Sequence, residues 1–356
     1  MPLKEIKMQK IRVGFIGLGE RGSNIIKTTM AIDNAELVAV CDGFSERVEK
    51  GIALVKQISG KLVDGYTDCV KLLERKDIDA VIIATSWETH ISIAIKAMKY
   101  GKAVAMEVGG AYDLEECWEL VRTQEQTKVP FMMLENCCFD EFETLITCMH
   151  RVGKFGAISH AHGAYRHDLR KEIFEGNLKK HYRLQNYINR NGDNYPTHAL
   201  GPIAKILDIN RGNKFMSLVS MSSVAQGLEA YSYSEKNPDK SLVGQKFKQG
   251  DVVSTIIKCA NGETITLTLN TCLPNYYSRE LELYGTKGLC RQEEKMIMLE
   301  EDVNLEECWF SLDTVKEHID NVKKYDKYIH PYWKTITEEE KKLGHGGMDY
   351  LIQKCF

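Results

Sequence analysis

The stretch from Ile11 to Asp42 limits most tightly what this chain can fold into. Ile11 to Ile16 is an apolar run long enough for a buried parallel strand and too short for a helix. It runs into Gly17-Leu-Gly-Glu-Arg-Gly22, a helical stretch follows from Ser23 to about Ala31, and a second strand, Glu36 to Cys41, ends on Asp42. The three glycines do different things. Gly17 allows the tight turn, Gly19 lets a diphosphate approach the backbone, and Gly22 lets helix and strand pack closely. The helix N-terminus adds free N–H groups and a positive dipole end for the phosphates. Asp42 falls where a carboxylate hydrogen-bonds the 2'-hydroxyl of an adenosine ribose and repels a 2'-phosphate, so the expected cofactor is NAD rather than NADP.

The alternation continues. Helices are expected at 45–59, 68–75, 89–100 and 113–127, and strands at 80–84, 103–107 and 131–134, which is a doubly wound parallel sheet sustained to residue 135. Ligands bind at the carboxyl ends of such strands, which puts Thr85, Trp87, His90, Glu107 and Glu135 around the nicotinamide. After a helix near 139–152 the pattern changes. Strands at 157–166, 215–224, 251–259, 264–271 and 279–284, with turns at Asn261-Gly262 and Gly285 to Gly288, imply an open, mostly antiparallel sheet. The fold class is therefore α/β with a Rossmann domain over 1–135, then an α+β substrate-binding domain over 136–356, as 356 residues would suggest. The polar stretch Tyr231 to Gln249 reads as a mobile loop.

A net charge of −3 gives no reason for attraction to nucleic acid or an anionic membrane. No apolar run reaches membrane-spanning length, and Met1 to Lys10 lacks the features of an export signal, so a cytoplasmic address is expected. The 11 cysteines contain no CxxC pair and read as free thiols. His160 and His162 share a strand face, but with no third ligand evident no metal site is expected.

Thr85, His90, Gly101-Lys102 and Glu107, in this order behind a Rossmann turn, resemble the Gfo/Idh/MocA family of sugar oxidoreductases. Four longer strings, Met133 to Cys137, Gly163 to Arg170, Asn191 to Pro202 and Gly344 to Asp349, are similar to those of glycoside hydrolase family 109, the NAD-dependent α-N-acetylgalactosaminidases and related hexosaminidases. The resemblance spans nearly the whole chain. It departs from the oxidoreductase pattern at Val108, where ordinary members carry a proton-moving lysine, and from both groups at Gly109, where proline is usual and a looser turn is expected. The chain also stops at Phe356, where the glycosidase relatives continue, which reads as a shortened C-terminus.

The resemblance implies a redox-neutral glycosidase: oxidation at the sugar C3, loss of the C2 proton, elimination of the C1 substituent, water addition and re-reduction, an exception to the usual carboxylate pair. It assigns His198 as base for the C3 hydroxyl and Tyr165 to proton transfer around C2 or the C1 oxygen, chemistry suited to both groups. His167, Asp168 and Arg170 read as a polar network supporting Tyr165. Tyr195 and Glu135 would bind the sugar, and His345 is placed near them. The implied partners are a small-molecule glycoside and, through the exposed sheet face, a homo-oligomer. The alternatives are a net sugar dehydrogenase, against which Val108 counts, and a non-catalytic NAD-binding homologue.

Overall fold

A computed structural model describes residues 10–109, 111–302 and 312–356. The expectation for the extreme N-terminus therefore lies outside the described residues, apart from Lys10. The chain forms two compact units: 1–136 together with 336–356, and 137–335.

The first unit alternates β1 (Ile11–Ile16), α1 (Glu20–Thr29), β2 (Ala35–Cys41), α2 (Ser45–Ser59), β3 (Asp64–Tyr66), α3 (Cys69–Leu73), β4 (Ala80–Ile83), α4 (Trp87–Lys99), β5 (Ala103–Met106), α5 (Leu114–Thr127) and β6 (Phe131–Met133). Its strands pair in parallel in the order β3-β2-β1-β4-β5-β6. Chain direction across the sheet reverses between β1 and β4, and that switch point is where a doubly wound sheet opens a cleft for a dinucleotide. Ile16, Ala39, Val81, Ile83, Val104 and Met106 are buried against Ala94, Ala97 and Met98 of α4, as expected of strands covered on both faces.

The second unit holds α6 (Glu141–Arg151), β7 (Ile158–Arg166), α7 (Arg170–Phe174), α8 (Gly176–Lys179), α9 (Arg183–Asn189), α10 (Thr197–Ile206), β8 (Phe215–Ser222), α11 (Gly227–Ser232), β9 (Val252–Cys259), β10 (Thr264–Asn270), β11 (Glu282–Gly285), β12 (Gly288–Arg291), β13 (Met296–Leu299) and α12 (Pro331–Thr335). Its seven strands run in the order β13-β12-β11-β7-β10-β9-β8. All neighbours are antiparallel except β7 and β10. One face carries the core: Ala161, Ile257, Ile265, Leu267 and Leu283 pack against Leu145, Ile146 and Met149 of α6 and Ala199 and Ile203 of α10.

Two expectations need correction. The stretch 231–249 is not a loose loop: α11 reaches Ser232, and Tyr231, Leu242, Phe247 and Gln249 are buried, with Phe174 packed against the rings of Tyr231 and Phe247. Its polar residues bond inward, Asn237 to the Ser232 carbonyl and Asp239 to Asn177. The closing segment also leaves the second unit. Within the first, α13 (Glu338–Lys341) leads to α14 (Met348–Cys355), where Leu351 and Ile352 are buried and Gln353 accepts the buried Thr29 hydroxyl of α1 at 2.6 Å.

Among the described residues no helix is long and apolar enough to cross a membrane.

Candidate functional site

The glycine turn fits a dinucleotide by its steric pattern. Gly17 has φ +103, and a Cβ there would lie 2.4 Å from the Ala84 carbonyl. A Cβ on Gly22 would fall 2.0 Å from the Gly17 carbonyl oxygen, so strand end and helix start meet backbone to backbone. Over Gly19, in contrast, a Cβ would meet only Arg47 Nη1, at 4.0 Å. The two outer glycines are demanded by the protein itself, while the middle one leaves open surface at the N-terminus of α1, where a diphosphate would rest. Asp42 is fixed to the same turn: its carboxylate accepts the backbone N–H groups of Leu18 at 2.7 Å and Phe44 at 3.0 Å. Arg47, which no sequence pattern singles out, lies 3.8 Å from that carboxylate and over the Phe44 ring. These residues suit the adenosine diphosphate half of NAD.

On the other half of the sheet, Thr85 sits just past β4, its hydroxyl accepting that of Thr89 at 2.8 Å. His90 is buried, with Nε2 3.0 Å from the Thr85 carbonyl and Nδ1 3.3 Å from that of Gly109. The ring thus lies between the loops after β4 and β5, and in its neutral form its single N–H donates to one of these two carbonyls. Burial also lowers the His90 pKa, favouring the neutral ring. Trp87 is buried at the start of α4. Gly109 is not a loosened turn, as expected from the missing proline. It has φ +83, which proline cannot adopt, and a Cβ would lie 2.4 Å from the Trp87 indole nitrogen. Glu107 follows β5 and Val108 beside it is buried. Glu135 is buried two residues past β6. His345 is joined to Asp349 at 2.9 Å and approaches Arg21 at 3.2 Å.

In the second unit β7 gathers the other candidates. Gly163 and Tyr165 lie on the same strand face, two residues apart. A Cβ on Gly163 would come 3.0 Å from Ala199 Cβ and 3.1 Å from Ile203 Cδ1, so the glycine lets α10 lie close on the strand. That contact brings His198, second residue of α10, beside Tyr165 with ring centroids 5.5 Å apart. The Tyr195 ring is 4.6 Å from that of Tyr165, and its hydroxyl is 3.4 Å from His198 Nε2. Three neighbours complete the cluster: Tyr277 at 6.1 Å and His167 at 6.3 Å from the Tyr165 ring, and Arg183 over the Tyr195 ring at 5.0 Å. Burial raises the Tyr165 pKa, and Arg183, which hydrogen-bonds it, pulls in the opposite direction. Asp168 and Arg170 pair with each other, at 2.7 Å, rather than with Tyr165.

Arg183 and Tyr277 escape a reading of the sequence. Each is far from Tyr165 along the chain, and no local pattern marks them; only the sheet and the short helices α7 to α9 gather them. His160 and His162 lie on the opposite face of β7, bonded to Thr264 at 2.8 Å and Glu280 at 3.3 Å.

Both parts of the chain resemble known proteins. The family model of the oxidoreductase family with NAD-binding Rossmann fold matches residues 11–135, and that of the glycosyl hydrolase 109 C-terminal domain matches residues 141–356. An α-N-acetylgalactosaminidase of Shewanella oneidensis is 38% identical over 352 residues, covering 97% of this chain and 75% of that protein. Another, of Tannerella forsythia, is 36% identical over 97% of this chain and 77% of its own length. Among solved structures, myo-inositol 2-dehydrogenase from Lactobacillus plantarum superposes with a TM-score of 0.62 at 18% identity, covering 97% and 96% of the two chains.

Proposed function

The chain belongs to glycosyl hydrolase family 109, built on the oxidoreductase Rossmann fold, and from that premise we propose that it cleaves N-acetylhexosaminides, α-linked N-acetylgalactosamine foremost, by a redox-neutral route. The observation that carries this reading is the cluster of Tyr165, Tyr195, His198 and Arg183 at the end of β7, which sets a histidine and a tyrosine side by side as proton-transfer groups. Gly17, Gly19, Gly22 and Asp42 would hold NAD, which when bound would supply reversible hydride transfer at the sugar C3.

The residues of the chain move the protons. His198 takes the C3 hydroxyl proton as C3 is oxidised and gives it back on reduction. Tyr165 works on C2 and C1 once the C3 ketone has made the C2 proton removable: it carries that proton toward the departing C1 oxygen. Burial raises the Tyr165 pKa and holds it as the phenol, an effect that Arg183 opposes, so the resting side chain is the proton donor. Tyr195 and Glu135 orient the sugar ring through its hydroxyls. Val108, in place of a lysine, leaves the position after Glu107 without a proton carrier, which favours the glycosidase over a net dehydrogenase.

The test is incubation of purified protein with a nitrophenyl α-N-acetylgalactosaminide. The proposal requires many nitrophenol molecules released per bound NAD with no accumulation of NADH. One NADH formed per sugar oxidised, with no nitrophenol, would establish the dehydrogenase instead; NAD binding with neither reaction would leave a non-catalytic homologue.

A further inference from the structure

Arg21 lies in the glycine turn and occupies the second position of α1. A cation in the first turn of a helix is disfavoured by the helix dipole, and here two carboxylates compensate. Arg21 donates to Glu107 Oε1 at 2.8 Å and grips Asp349 with both terminal nitrogens, at 2.6 and 3.0 Å. Asp349 is almost fully buried and also accepts the side-chain amide of Asn136 at 2.8 Å and approaches His345 Nδ1 at 2.9 Å. Its acceptor capacity is therefore filled inside the protein. Glu107 differs: one oxygen goes to Arg21, and Oε2 has no hydrogen-bond partner among the described residues, although the residue is only 7% exposed.

The position of this network on the sheet gives it meaning. The glycine turn and Asp42 belong to the β1–β2 half, which takes the adenosine diphosphate, while Glu107 ends β5 on the other half. Arg21 spans the two. The segment that aims it, Gly344 to Gly347, has positive φ at four consecutive residues, +53, +45, +68 and +96, and delivers Asp349 into α14. His345, the non-glycine among the four, is held in the left-handed region that L side chains rarely adopt. Arg21 carries one positive charge against two carboxylates, and the unshared oxygen sits on Glu107.

We propose that Arg21 is a positioning residue that holds the Glu107 carboxylate for the nicotinamide end of the dinucleotide, with the closing segment Gly344 to Asp349 fixing Arg21 in place. The proposal rests on the reading of the first unit as an NAD site. The carboxylate left with a free oxygen suits a hydroxyl of the nicotinamide-side ribose and the cationic ring of the oxidised cofactor, whereas the adenosine diphosphate half does not touch it.

Titration calorimetry of the full chain with NAD and, separately, with ADP tests this. ADP engages the glycine turn and Asp42 and lacks the nicotinamide end. Replacing the arginine (Arg21→Met) raises the Kd for NAD by about tenfold or more and leaves the Kd for ADP within about twofold. Asp349→Asn, a change in the closing segment, acts in the same direction. Should Arg21→Met fail to fold, Arg21→Lys, which keeps the charge but not the two-pronged grip, carries the same comparison. Equal loss of NAD and ADP affinity would reduce Arg21 to general support of the turn and overturn the proposal, as would no loss of either. A wild-type chain that binds ADP but not NAD would sink the NAD reading and the proposal with it.

Discussion

Alanine at Gly19 and at Gly22 should break different things. At Gly22 the added Cβ would stand 2.0 Å from the Gly17 carbonyl oxygen and 3.3 Å from the Phe15 ring, whereas real Cβ contacts stay beyond 3.0 Å. The helix start must therefore shift on backbone, the kind of overpacking that costs about 1–3 kcal/mol. For a unit of this size that is a loss of about 2–4 °C in melting temperature per kcal/mol. At Gly19 the backbone has φ −66, open to any residue, and the Cβ would meet no protein atom nearer than Arg47 Nη1 at 4.0 Å. The Gly19→Ala chain should melt unchanged or slightly higher, because alanine restricts the unfolded chain by about 0.4–1 kcal/mol. Its methyl group nevertheless stands where the diphosphate approaches, so the Kd for NAD should rise at least tenfold, about 1.4 kcal/mol. Thermal melts without cofactor and NAD titrations of both variants decide the matter. A Gly19→Ala chain that binds NAD like the wild type, or that loses as much stability as Gly22→Ala, would refute the assignment of the turn.

Three further outcomes follow from the second unit. His198→Gln and Tyr165→Phe should each lower kcat by about 10²–10⁴ with little change in KM, as expected for lost proton transfer; steady-state kinetics on the nitrophenyl glycoside checks both. Burial pushes the Asp193 pKa up to about 6, opposed by a hydrogen bond from the Tyr195 backbone. Because the folded value exceeds the unfolded one, the associated stability is complete below about pH 4 and is lost as pH rises through 6. Asp193→Asn should therefore gain on the wild type as pH is raised from 4 to 7, seen as a widening gap in melting temperature; a constant gap would contradict the burial argument. Val219 and Ile256 pair across β8 and β9 and are both exposed, at 58% and 50%. If that face holds two copies together, Val219→Glu with Ile256→Glu should convert the protein to monomers in light scattering, and an unchanged mass would place any self-association elsewhere.

What the sequence discloses depends on how local the signal is. The first unit is legible because each strand, turn and helix announces itself within a few residues: Gly17, Gly22 and Asp42 stand together in the fold, as their spacing implies. The start of α1 lies three residues earlier than the apolar period suggests, since Glu20 and Arg21 do not share in that period. In the second unit Tyr165, Tyr195 and His198 meet, and the pairing rests on Gly163 yielding space to α10. Arg183 and Tyr277 are invisible in the sequence because their position is decided by tertiary packing alone. The stretch from Tyr231 to Gln249 misleads for a related reason: its polar side chains satisfy one another and the backbone inside the fold, so polarity does not mean solvent. The closing segment joins the first unit rather than the second, and nothing local in Gly344 to Asp349 says that Asp349 pairs with an arginine more than 300 residues earlier.

The central claim is that glycosidic cleavage passes through a C3 ketone and loss of the C2 proton. Hydrolysis of an α-N-acetylgalactosaminide in deuterium oxide, followed by NMR of the released sugar, tests it most directly. The account predicts deuterium at C2 of the product, incorporated during turnover with no net NADH. Free N-acetylgalactosamine that retains its hydrogen at C2 after complete hydrolysis would contradict it.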